Sequence, residues 1–103
     1  MPIFIKTEKF KDKTLELSNV ERKKFLLMHK EWVKDITKLG HYIHSGYLIN
    51  EKKMPGGGGL LIFEANDFLT AKKIVENDPM IKYELVSWDL QEWISINENR
   101  PNF

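Results

Sequence analysis

Phe25-Leu26-Leu27-Met28-His29-Lys30-Glu31-Trp32 lies inside a segment, residues 20–39, in which apolar side chains recur at Phe25, Trp32, Ile36 and Leu39, with Leu26 and Val33 alongside. Spacings of three, four and seven place these groups on one face of an amphipathic helix. Ser18 or Asn19 is suited to cap its start, with Glu21 in the first turn, where the helix dipole favours a negative charge. Gly40 is suited to close it, because glycine just past the last turn takes left-handed backbone without steric cost. One member of this face is polar. His29 lies four residues after Phe25, three before Trp32 and seven before Ile36, so its imidazole points where the apolar groups point.

Outward from this helix the pattern changes period. Residues 2–7 are rich in β-branched and aromatic types and predict a first strand that can run on toward Phe10. Residues 8–18 have no clean period and read as a loop. After Gly40, residues 41–50 read as a strand, 51–56 as a hairpin loop, and 59–65 as a short, almost wholly apolar strand suited to the middle of a sheet. Asn66 or Asp67 can cap a second helix of about ten residues, near the globular mean. Asp78-Pro79 ends it, since a residue before proline avoids the α region. Residues 84–96 alternate, with Val86, Trp88, Leu90, Ile94 and Ile96 on one face and Ser87, Asp89, Gln91, Trp93 and Ser95 on the other.

The order β-α-β-β-α-β, with right-handed crossovers, puts both helices on one sheet face. The expected fold class is therefore α+β: a ferredoxin-like antiparallel sheet, residues 1–96, followed by an irregular tail, residues 97–103. The second sheet face keeps apolar groups with no helix to cover them. In so small a domain a face of this kind calls for a second copy, and a homodimer is the expectation.

Composition narrows the function classes. The chain has 103 residues, enough for one domain that buries about 65% of its unfolded surface. A net charge of +1 gives no electrostatic pull toward nucleic acid or anionic lipid, and neither is an expected partner. The absence of cysteine removes disulfides, zinc-thiolate sites and thiol nucleophiles together. No apolar stretch approaches membrane-spanning length, and a cytoplasmic location is the default expectation.

Candidate chemistry is sparse. The run Gly56-Gly57-Gly58-Gly59 precedes a strand, whereas a phosphate loop sets its glycines between a strand and a helix N-terminus. A turn with a bulge fits better, and bare backbone there could also let a ligand approach the sheet end. His41 and His44 lie three apart in a strand, so they face opposite ways and share no metal; no metal or other cofactor is expected. Trp32 and Trp88 belong to apolar faces and read first as core, while Trp93 falls on the wetter face. Asp78 has two readings. It can cap a turn starting at Pro79, or it can close the second helix, where its charge opposes the dipole unless a donor such as the His29 imidazole compensates. Arg22 and Arg100 are the only arginines, and spacing does not clearly bring either to His29.

From His29 to Trp93 the chain resembles the YCII-related (YciI-like) family of small bacterial proteins. The resemblance runs through His29-Lys-Glu-Trp-Val-Lys-Asp-Ile-Thr-Lys-Leu-Gly40, Ile43-His-Ser-Gly-Tyr-Leu48, Gly59-Leu-Leu-Ile-Phe-Glu-Ala65, Ala71, Asn77-Asp78-Pro79-Met80 and Gln91-Glu92-Trp93. It implies a ferredoxin-like fold paired into a dimeric α/β barrel, and a catalytic His–Asp pair that maps onto His29 and Asp78. Ser45 and Gly46 match a small-residue strand element near the same pocket, and Trp32 joins them as an expected substrate-binding residue. Two positions depart from the family pattern: Tyr47 replaces a proline, and Ile81-Lys82-Tyr83-Glu84 lacks a glycine.

Two functions are compatible with these residues. One is an enzyme, a lyase, isomerase or dehalogenase-like catalyst that moves protons on a small carboxylate or lactone-like substrate. The other is a dimeric binding module for a small anionic or aromatic ligand, in which the same pair supplies only hydrogen bonds.

Overall fold

In the computed structural model, which describes residues 1–97, the elements run β1 (Ile3–Phe10), α1 (Asp12–Leu15), α2 (Asn19–Lys38), β2 (Ile43–Ile49), β3 (Pro55–Glu64), α3 (Phe68–Glu76), α4 (Pro79–Lys82) and β4 (Val86–Trp93). The sheet order is β2-β3-β1-β4, and every neighbouring pair is antiparallel. This is the ferredoxin-like arrangement. Phe4, Leu61 and Phe63 from the sheet meet Ala71 and Val75 of α3 in the core, with Trp32, Val33 and Ile36 of α2 packed against it. Both long helices therefore cover the same face.

Ser18 is the N-cap of α2, in a full capping box: Glu21 N–H donates to its hydroxyl at 3.2 Å while the Glu21 carboxylate accepts from the Ser18 N–H. Gly40 takes φ +88° after the last turn. Asp67 caps α3, its carboxylate accepting from Thr70 N–H at 2.7 Å.

The remaining boundaries depart from the periodic pattern for local reasons. Residues 8–18 are not all loop. β1 continues to Phe10 because its register with β4 does, and Asp12–Leu15 forms a single helical turn. That turn is fixed by tertiary contact: the Thr14 hydroxyl donates to the Leu85 carbonyl at 2.6 Å. The glycine run lies inside β3, since Gly58 pairs with Lys9 and Gly59 with Glu8. A β-carbon on Gly58 would stand 2.3 Å from the Glu8 carbonyl oxygen, so only glycine lets the two backbones pair so closely. β4 is shorter than the alternating stretch and ends at Trp93. Glu84, within the segment that lacks a glycine, takes φ +56°, the left-handed backbone a glycine adopts at lower cost. Of the expected tail, residues 98–103 lie outside the described residues.

Burial differs between the two long helices. α3 seals Ala71 and Val75 completely, whereas no residue of α2 is fully buried. Part of the cause lies beneath α2, where the facing positions of β2 and β3 are Ser45 and Gly59 instead of large side chains. The helix stands over a cavity. On the other sheet face Ile5, Leu60, Ile62 and Trp93 have no helix above them, by strand alternation.

Candidate functional site

Asp78 is wholly buried. The structure makes it the N-cap of α4, its Oδ1 accepting from Met80 N–H at 3.0 Å, while Asn77 is the residue that closes α3. The capping alternative is the one observed locally. The same oxygen also accepts from His29 Nδ1 at 2.8 Å, so both sequence readings of Asp78 describe contacts it makes. Its other oxygen lies 3.1 Å from Lys6 Nζ.

A carboxylate only accepts hydrogen bonds, so the contact fixes the proton of the neutral imidazole on Nδ1. Nε2 then carries the lone pair. It sits 2.7 Å from Ser45 Oγ, and the serine hydroxyl is the donor. The result is a continuous chain from Ser45 on β2, through His29 on α2, to Asp78 before α4 and Lys6 on β1.

Lys6 is as buried as Asp78, and a buried ammonium is stable only when paired. It has two partners, Asp78 and Glu8. Burial, the strongest single influence on the Asp78 carboxyl, acts to raise its pKa. The His29 hydrogen bond, the charges of Lys6 and His29 and the Met80 N–H together outweigh it and hold the group below its ordinary value.

The chain faces a cavity of about 780 Å³ between α2, α1 and the sheet. His29, Ser45 and Gly46 line it; so do Tyr47 and the backbone of Gly57, Gly58 and Gly59. Phe10, Phe25, Val33 and Leu85 supply apolar wall, and Glu8, Arg22 and Lys30 supply charge. Trp32 is placed elsewhere. It lines a separate open depression with Leu27, Met28 and Asn77, packs against the core, and buries an indole N–H that has no acceptor among the described residues. The substrate-binding set expected from the sequence is thus split, with Ser45 and Gly46 at the cavity and Trp32 outside it.

Three residues of this neighbourhood were not assigned from the sequence, and each carried a signal. Lys6 and Glu8 share the face of Phe4 and Phe10 in a strand of period two, so two opposite charges stand on the core side. Arg22 stands seven before His29, two turns along the same helix face, and the structure places it in the cavity wall. Arg100 is outside the described residues. Among those residues, no group of three His, Asp or Glu side chains is arranged to hold a metal ion, and no helix is long and apolar enough to cross a membrane.

Neither a family model nor a curated protein sequence matches this chain. Among solved structures it is similar to 5-chloro-2-hydroxyhydroquinone dehydrochlorinase (TftG) from Burkholderia phenoliruptrix AC1100, determined in complex with 2,5-dihydroxybenzoquinone. The likeness has a TM-score of 0.69 at 22% identity and covers 95% of this chain and 99% of that one. At this identity it shows the fold, a ferredoxin-like α+β domain.

The depressed Asp78 pKa has a consequence for stability. A carboxyl whose pKa is lower folded than unfolded stabilises the protein above its unfolded value and loses that contribution as pH falls through the folded value. Asp78→Asn is expected to cost about 3 kcal/mol near neutrality, because it leaves a buried lysine short of one counter-charge. Urea unfolding of both proteins should show this gap narrowing below about pH 4, as the wild-type carboxyl takes up its proton. A gap that stays constant into acid would contradict the assignment.

Proposed function

We propose that this chain is a small enzyme of the YCII-like kind, in which His29 moves protons on a small organic substrate held in the cavity and Asp78 orients the imidazole. The observation that carries this reading is the 2.8 Å contact between His29 Nδ1 and a fully buried carboxylate. It leaves Nε2 as the ring atom toward Ser45 and the cavity, the arrangement expected of a general acid/base with an orienting partner.

A binding module would need hydrogen bonds, an apolar wall and, for an anionic ligand, cations such as Arg22 and Lys30. It has no need of an imidazole tied to a buried carboxylate. Lys6, paired with Asp78, extends the His29 chain into the core, beyond what holding a ligand requires. The substrate class in view is a small carboxylate, lactone or hydroxylated ring. The last enters through the similar dehydrochlorinase, whose name denotes loss of hydrogen chloride.

We also infer that two copies pair through the helix-free sheet face, which carries half-buried Ile5 and Leu60 and exposed Trp93. Light scattering at micromolar concentration is expected to report twice the 12.2 kDa chain mass. A particle of single-chain mass would contradict pairing.

The catalytic reading is tested by a thermal-shift and turnover screen of small carboxylates, lactones, aromatic acids and 2,5-dihydroxybenzoquinone. For a compound that wild type turns over, His29→Asn should retain folding and lose about 10²–10⁴-fold in rate. Asp78→Asn should lose less, since the proton carrier stays. Rates and shifts as large in His29→Asn as in wild type would place the site elsewhere.

A further inference from the structure

The ring nitrogen that Asp78 leaves available is not empty-handed: Ser45 Oγ lies 2.7 Å from His29 Nε2. A proton entering or leaving Nε2 therefore passes to Ser45 before it passes to anything in the cavity. Ser45 is itself exposed, on the wall of that cavity. A hydroxyl donating to a histidine nitrogen, with the other nitrogen donating to a buried carboxylate, is the arrangement that activates serine oxygen for attack. It is recognised by geometry and roles rather than by chain order, which here is His29, Ser45, Asp78.

We propose that Ser45 is a nucleophile and that the cavity performs acyl transfer, with esters or lactones as the substrate class. This shares the His29–Asp78 pair with the reading above but does not depend on proton abstraction from carbon. Ser45 Oγ bonds to the substrate carbonyl carbon as its proton moves to His29 Nε2. The tetrahedral adduct expels an alkoxide, which takes that proton and leaves as an alcohol. Water then attacks the acyl–Ser45 ester, giving its proton to Nε2. Collapse of the second adduct releases the carboxylic acid and returns the proton to Ser45. The balance is ester plus water to acid plus alcohol, with no other reactant.

Other features of the cavity suit this chemistry. Gly59 shares the sheet face of Ser45 and keeps the floor beside it low, and a β-carbon there would reach 3.0 Å from the Gly46 carbonyl oxygen. Arg22 and Lys30 line the same cavity and supply positive charge for a developing oxyanion.

The test uses a serine-directed fluorophosphonate probe, which needs no knowledge of the natural substrate, with p-nitrophenyl acetate as a second reporter. Wild type is expected to take up one equivalent of probe at Ser45, located by peptide mass spectrometry. Ser45→Ala should take up none, and His29→Asn should label slower by about 10²–10⁴-fold. Release of p-nitrophenol should follow the same order. Wild type that stays unlabelled, that labels at another residue, or that labels at Ser45 as fast as His29→Asn does overturns the proposal. Its failure is separable from that of the proton-transfer reading. A compound turned over by wild type and Ser45→Ala alike, but not by His29→Asn, overturns the nucleophile and leaves the acid/base role standing.

Discussion

The buried carboxylate of Asp78 is the contact on which the site depends. One oxygen accepts from the Met80 N–H and from His29, and the other meets Lys6, so a single side chain ties β1, α2 and the start of α4 together. Each partner answers a separate physical requirement. The amide belongs to a helix start that needs an acceptor. Lys6 is a buried cation that needs a counter-charge. His29 needs one nitrogen fixed if the other is to have a defined role. Removing the carboxylate would release all three at once. Stability and chemistry are coupled here, and variants of Asp78 must be read in both.

The cavity follows from what is missing beneath α2. On α3 the small Ala71 and the branched Val75 sit directly on the Phe4 and Phe63 layer and are sealed. Under α2, Ser45 and Gly59 leave volume that no side chain fills. The half-exposed condition of the α2 stripe is the other side of the same fact. A helix that presents His29 and Arg22 to a cavity leaves its inward stripe only partly packed. Stability is carried by the α3 side of the sheet, and access is given by the α2 side.

Much of the fold was legible because its signals are local. Apolar residues at helical spacing, Ser18 with Glu21, Gly40 and Asp67 each specify a terminus or a face from a few neighbouring positions. The places where local reading stopped are those where tertiary contact decides. The turn at Asp12–Leu15 depends on the Leu85 carbonyl, seventy-one residues from Thr14. The glycine run is strand because Glu8 and Lys9 pair with it, which no property of glycine alone predicts. At the site, His29 and Asp78 could be named from the sequence because each is anomalous in its own element, a histidine in an apolar stripe and a carboxylate at a helix end. Lys6 was anomalous in the same way, yet only the three-dimensional arrangement supplies its partner. Ser45 carries no anomaly of its own and was named only through the family resemblance, as a substrate-binding residue. Its contact with His29 Nε2 is visible only as a distance.

The central claim is that Asp78 fixes the His29 tautomer, and nitrogen-15 NMR of the imidazole reads it directly. Neutral histidine free in water carries its proton mainly on Nε2, so the protein must reverse that preference. For the neutral imidazole of the wild type the account predicts a pyrrole-like, proton-bearing Nδ1 and a pyridine-like Nε2, with a slowly exchanging Nδ1–H signal that disappears in Asp78→Asn. A neutral His29 protonated on Nε2, unchanged by Asp78→Asn, would contradict it.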